Sequence, residues 1–215
     1  YHGAVRNWGE AGMDASVVSN GRFEKLHFRG NTQSGLRAGD GGLVQDCTAF
    51  ENGVGIETAQ GTVVTRCTSS RNRDDGMTAG PDNVISHSLC VGNGDDGIQA
   101  GAGTRILQCT ATANSFGFYA PNSGVTIERS TTRTNLNTGI YLASSYCQAI
   151  GNVCDGNDVG ILATGAGNRI EDNHTTQNRT MGIRVSKAEG RNVIVKNTAR
   201  NNEGVTQPND HNYEV

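Results

Sequence analysis

The sequence predicts an all-β fold: a right-handed, single-stranded parallel β-helix, a solenoid of about nine coils of about 21 residues each. Three observations predict it. A glycine followed by an apolar residue recurs at nearly constant spacing. Several other columns of like residues keep the same register. No repeat holds a run long enough for a helix, which excludes leucine-rich and ankyrin repeats.

The recurring pairs are Gly35-Leu36, Gly55-Ile56, Gly76-Met77, Gly97-Ile98, Gly117-Phe118, Gly139-Ile140, Gly160-Ile161, Gly182-Ile183 and Gly204-Val205, at spacings of 20, 21, 21, 20, 22, 21, 22 and 22 residues. Two residues beyond each apolar position stands Ala38, Thr58, Ala79, Ala100, Ala120, Leu142, Ala163 or Val185. Two inward side chains flanking one outward is strand alternation. A second column reads Phe23, Val44, Val64, Ile85, Ile106, Ile127, Ile170 and Ile194, and three residues later come Cys47, Cys67, Ser88, Cys109, Ser130, Asn152, Asn173 and Asn197. A further column holds Asn31, Asn52, Asn72, Asn93, Asn114, Asn135, Asn157 and Asn178. Each unit is therefore three short strands and three turns. Glycine and asparagine are expected to supply the positive φ of the turns. Stacked asparagines are expected to hydrogen-bond along the axis. At about 4.8 Å per coil, nine coils make a rod of roughly 43 Å.

The whole chain, residues 1–215, reads as one domain: an irregular first coil at 1–21, regular coils over 22–205, and a polar tail or cap at 206–215. The aromatic stretch containing Trp8, Phe23 and Phe28 is expected to cap the first coil or to meet an upstream domain. Adjoining domains and a homo-oligomer are both compatible with the open strand edges of such a rod.

Only 34% of the residues are hydrophobic and 5% aromatic, too few for one large core but enough for a thin core repeated in every coil. The net charge of −3 comes without long runs of one sign, which argues against nucleic acid and membrane surfaces as partners. No stretch of 18 apolar residues is present, so no membrane-spanning helix is expected. The six cysteines lack metal-ligand spacing. Cys47 and Cys67 share a column on adjacent coils, where parallel Cβ vectors favour buried thiols over a bridge.

The I-x-x-N/C turns, the N-x-x-x-G-I approach to each strand and the 21-residue period resemble the pectate-lyase-like parallel β-helix superfamily, closest to its right-handed β-helix repeat members. The resemblance covers nearly the whole chain and implies the fold. It implies little about activity, because the superfamily includes lyases, hydrolases, epimerases, tailspikes and adhesins. It also implies that sugar sites lie on the outer face of the Gly-Ile strand and on the turn before it, and that the setting is extracellular or the cell surface.

The outward residues of that strand include Glu57, Thr78, Gln99, Tyr119 and Tyr141, expected to bind substrate together with Arg73. Stacked tyrosines can pack on sugar C–H faces and leave their hydroxyls to hydrogen-bond; they are also common on any half-exposed strand. In the preceding turns, Asn72-Arg73-Asp74-Asp75-Gly76 and Asn93-Gly94-Asp95-Asp96-Gly97 place four carboxylates on neighbouring coils. Asp74, Asp75, Asp95 and Asp96 are thus candidate catalytic acids and bases, candidate Ca²⁺ ligands, or plain Asp-Gly turn residues. No cofactor other than this Ca²⁺ option is suggested. Gly94-Asp95-Asp96 is similar to the G-D-D motif of polygalacturonases, but the G-H-G and R-I-K motifs of those enzymes are replaced by Ser115-Phe116-Gly117 and Thr138-Gly139-Ile140-Tyr141. The expected function is polysaccharide binding along the strand face without catalysis. The alternatives are a lyase or glycosidase acting on uronate polymers through the carboxylates, and a structural spacer or adhesin segment.

Overall fold

A computed structural model describes residues 3–186 and 191–202, together with the backbone of 213–214. It is a right-handed parallel β-solenoid of three sheets with ten, ten and nine strands. Sheet 1 carries the Gly-apolar strands, such as Ile56–Thr58, Met77–Ala79 and Ile98–Ala100; sheet 2 carries Val63–Thr65, Val84–Ser86 and their counterparts; sheet 3 carries Thr68–Ser70, Leu89–Val91 and theirs. Every strand pairs in parallel with its equivalent one coil away, Met77 opposite Ile98 and Val84 opposite Arg105. Residues 3–15 already contribute Gly3–Arg6 to sheet 3 and Met13–Ala15 to sheet 1.

The core is a set of axial columns. Leu36, Ile56, Met77, Ile98, Phe118, Ile140, Ile161 and Ile183 form one column, and each is at most 1% exposed. Val44, Val64, Ile85, Ile106, Ile127, Ala149 and Ile170 form another. At about 25 cal/mol per Å² of apolar surface removed from water, thin columns suffice because each residue is covered by the coils on both sides.

The turns bear out one expectation from the sequence in part: glycine does supply positive φ, at Gly30, Gly92 and Gly156 just before Asn31, Asn93 and Asn157, but other residue types fill the same place elsewhere. Neither the column glycines nor the ladder asparagines adopt positive φ. The left-handed residue is the one just before the inward residue: Glu51 before Asn52, Arg71 before Asn72, Ala113 before Asn114, Thr134 before Asn135, Arg66 before Cys67 and His87 before Ser88. The backbone turns at this exposed residue so that the next can point inward. A non-glycine there costs about 1 kcal/mol or more, which the buried hydrogen bonds of the next residue offset. Asn93 shows how. Its Oδ1 accepts the Asn72 backbone N–H (3.1 Å) and Asn72 Nδ2 (2.9 Å), while its Nδ2 donates to Asn114 Oδ1 (2.9 Å) and the Ser69 carbonyl (3.3 Å). The amide's hydrogen-bonding capacity is filled.

The column glycines serve close approach. A Cβ on Gly97 would lie 2.5 Å from the Gly117 carbonyl oxygen and 3.0 Å from Asn114 Nδ2. Any side chain there would push the asparagine ladder and the next coil apart.

A correction concerns the last coil. The period places the next strand of sheet 1 at Gly204-Val205, but Tyr213 pairs with Ile183 and Glu214 with Arg184. The ladder step from Asn178 to Asn202 is 24 residues, longer than the 21 from Asn157 to Asn178. Val205 itself lies outside the described residues. All six cysteines are buried free thiols.

Candidate functional site

Sheet 1 turns one row of side chains outward, in continuous register from Arg37 through Glu57, Thr78, Gln99, Tyr119 and Tyr141 to Leu162. The turn before the strand adds a second row. Its residues stack because each column-glycine N–H donates to the carbonyl one coil on: Gly55 to Asp75 (3.0 Å), Gly76 to Asp96 (2.8 Å), Gly97 to Phe116 (2.8 Å) and Gly117 to Thr138 (3.0 Å). Asp75, Asp96 and Phe116 therefore form one column beside Thr78, Gln99 and Tyr119.

Phe116 meets both tyrosines. Its ring centroid is 5.9 Å from that of Tyr119 and 5.7 Å from that of Tyr141, and the two tyrosine rings are 5.3 Å apart with planes 27° from parallel. These separations are those of interacting aromatic rings. The cluster is half-buried, so one side is available to a ligand.

Next to it lies the acidic site. Asp75, Asp95 and Asp96 each bring a carboxylate oxygen within 4.8 Å of the others. Asp75 is fixed by the Asp96 backbone N–H on Oδ1 (3.0 Å) and by the Thr78 hydroxyl on Oδ2 (2.9 Å). Asp96 is 2% exposed; its Oδ2 takes one long hydrogen bond from Gln99 Nε2 (3.5 Å), and its Oδ1 is buried without a partner. Burial is the main reason the Asp96 carboxyl is pushed up to about 7, with the charges of Asp75 and Asp95 adding to it. Burial also raises Asp75, against the hydrogen bonds that favour its ionised form. The Tyr119 phenol is raised as well, first by burial, then by Tyr141 and the two nearby aspartates. A carboxyl that holds its proton near neutral pH beside other carboxylates can donate that proton, or exchange it for a cation.

On the other side of Thr78 is a cavity of about 330 Å³ lined by Gln33, Ser34, Arg37, Glu57, Asp74 and Thr78 among others. Arg37 is held there by Glu57 (2.9 Å) and Asp14 (3.7 Å), and Glu57 also accepts the Ser34 hydroxyl (2.7 Å). The Arg73 guanidinium donates to the Thr32 carbonyl, reaching back toward this cavity rather than toward the aspartate trio.

The family model described as the right handed beta helix region matches residues 4–116 and again 100–207. The chain belongs to this family. No curated protein is matched by the sequence. Among solved structures, the right-handed β-helix of this chain is similar to that of the Dettilon tailspike protein (gp208), with a TM-score of 0.64 and 14% identity over 94% of this chain. It is also similar to pectate lyase Pel9A, with a TM-score of 0.57 and 15% identity over 87% of this chain. The chain spans 59% of the first structure's length and 56% of the second's. At these identities the likeness establishes the fold alone.

Within this right-handed β-helix, Thr78, Gln99, Tyr119 and Tyr141 lie in one continuous track, while Glu57 lines the cavity at its end and Arg73 is tied to the Thr32 carbonyl beside it. Of the four turn aspartates, three converge and the exposed Asp74 lines the cavity instead. Phe116 is not among the site residues expected from the sequence. Its signal is present there all the same: it occupies the Asp75/Asp96 column immediately before Gly117.

Proposed function

We propose that the outer face of sheet 1 binds a polysaccharide, laid along the solenoid axis from the Glu57 cavity across Thr78 and Gln99 to the aromatic cluster. The observation that carries this reading is the Phe116/Tyr119/Tyr141 cluster in register with a polar track. Three mutually packed rings offer a rigid apolar platform for sugar C–H faces, and the neighbouring amide, hydroxyl and carboxyl groups offer directional hydrogen bonds. Such a ligand suits an extracellular or cell-surface setting. Among the described residues no helix is long and apolar enough to cross a membrane. The test is a glycan array followed by titration of the positives. Wild-type protein is expected to bind, and a Tyr119→Ala/Tyr141→Ala double variant to lose at least about tenfold in affinity, the loss of about 1.4 kcal/mol. Unchanged binding in the double variant refutes the proposal.

One observation favours a second reading, catalysis. Asp96, held protonated up to about pH 7 beside Asp75 and Asp95, has the character of a general acid for glycoside cleavage. In that reading Asp96 delivers its proton to the leaving oxygen as the surface carboxylate of Asp95 displaces it at the sugar carbon, and water then hydrolyses the glycosyl ester with Asp96 taking back a proton, the close spacing of the carboxylates suiting this retaining course. Incubation of bound glycans with wild-type and Asp96→Asn protein, followed by product analysis, decides it. Products formed by the wild type alone support catalysis, and no products from either leave binding as the function.

A further inference from the structure

The polysaccharide-binding reading leaves the polymer's charge unspecified, and the arrangement of groups on sheet 1 specifies it. Resting on that reading, we propose that the polymer carries free amino groups, and that Asp75, Asp95 and Asp96 receive one sugar ammonium while Phe116, Tyr119 and Tyr141 carry the adjoining sugar ring.

The first argument is the charge along the track. Between Arg37 and Arg184 the outward row of sheet 1 reads Glu57, Thr78, Gln99, Tyr119, Tyr141 and Leu162, with no cation. Arg37 is neutralised by Glu57 and Asp14, and Arg73 is directed to the Thr32 carbonyl. The turn supplies Asp74, Asp75, Asp95 and Asp96. A uronate polymer laid on this surface would set its carboxylates against the protein's own. A polymer of amino sugars meets opposite charge over the same length.

The second is the geometry of the trio. An ammonium has three N–H donors and no acceptor. Oxygens at about 2.8 Å from its nitrogen in tetrahedral directions stand about 4.6 Å from one another. The trio's oxygens lie within 4.8 Å of one another, which accommodates that arrangement. The third is the unpartnered Oδ1 of Asp96, an acceptor buried without a donor. Its carboxylate is tethered only by the 3.5 Å contact from Gln99, so a small rotation presents it to an incoming donor.

The fourth separates an organic ammonium from a metal ion. Calcium takes six to eight oxygen ligands, whereas the site offers three carboxylates and the next residue in the column beyond Asp96 is Phe116, which supplies none from its side chain. Rings beside a cation site disfavour a hydrated metal and favour an ammonium carried on a sugar, which gains from the ring faces as well.

The experiment is calorimetric titration of the full chain with three oligosaccharide series of matched length: glucosamine, N-acetylglucosamine and galacturonate. Glucosamine oligomers are expected to bind at least about tenfold more tightly than the acetylated series, the gain of one charge-assisted hydrogen bond over a neutral one. The ratio is expected to fall toward one in Asp95→Asn and Asp96→Asn, with circular dichroism verifying that each variant is folded. Equal affinity for the acetylated series, or tighter binding of galacturonate, overturns the ammonium assignment and leaves the polysaccharide reading standing. Failure of all three series, together with a negative glycan array, overturns both. A requirement for added Ca²⁺ before any series binds shows the trio to be a metal site and also overturns the assignment.

Discussion

Asp96 is a residue at which this protein gives up stability. In the unfolded chain its carboxyl titrates near 3.8, and in the folded protein near 7. Below about pH 3.8 both states hold the proton and the group is neutral to stability. As the pH rises from 3.8 toward 7 the unfolded chain releases the proton while the folded protein keeps it. The folded state is thereby penalised by about 1.36 kcal/mol for each pH unit, and above about pH 7 the penalty is complete at about 4 kcal/mol. Replacing Asp96 by asparagine keeps the shape and removes the charge. The new amide can donate to Asp75 or Asp95, and those carboxylates and Asp74 remain in both proteins, so the difference isolates Asp96. For a chain of this length about 4 kcal/mol corresponds to about 8–16 °C in Tm. Thermal unfolding followed by circular dichroism is expected to show Asp96→Asn melting higher than wild type at pH 8 by about this amount, with the difference closing toward pH 4. A difference independent of pH, or a variant less stable than wild type at pH 8, refutes the reasoning.

The ladder, the glycine column and the thiols give further tests. Asn93→Ala leaves the Asn72 backbone N–H and the Ser69 carbonyl without their amide partner, and is expected to cost about 3 kcal/mol, or about 6–12 °C in Tm. The exposed Asn137, whose amide donates to the Ser115 hydroxyl, serves as control, with Asn137→Ala within about 0.5 kcal/mol of wild type. Gly97→Ala forces a methyl to within 2.5 Å of the Gly117 carbonyl and 2.8 Å of Ala111 Cβ, and is expected to cost about 1–3 kcal/mol by denaturant titration. The six buried cysteines are expected to resist a thiol reagent in the native protein and all to react in guanidinium, whereas fewer than six reactive thiols in the denatured chain would reveal a bridge.

The fold is legible because a solenoid writes its contacts into the sequence as a period. Ile56, Met77, Ile98 and Phe118 fill one column by the same step that places Asn52, Asn72, Asn93 and Asn114 on one ladder. The turn residues are legible only where glycine holds the left-handed position, as at Gly30, Gly92 and Gly156. Glu51, Arg71, Ala113, Thr134 and Gln177 all adopt positive φ, yet they are exposed and chemically unlike, because the inward residue after them stabilises the turn. Tyr213 escapes the sequence pattern for a related reason: the last coil is longer than the others, and a period counted forward from Gly182 falls out of step. The site is half legible. Tyr119 and Tyr141 follow from strand alternation. Which carboxylates converge does not, because Asp74 and Asp75 are neighbours in sequence yet only Asp75 joins the trio, while the exposed Asp74 lines the cavity. Phe116 is easily overlooked because it replaces an aspartate in a column that otherwise reads as acidic.

The most direct test is a crystal structure of the protein soaked with a glucosamine oligosaccharide. A sugar ring lying on Phe116, Tyr119 and Tyr141, with its amino nitrogen among Asp75, Asp95 and Asp96, is the predicted result. Saccharide density on the outer face of sheet 2 or sheet 3, with sheet 1 bare, contradicts the account.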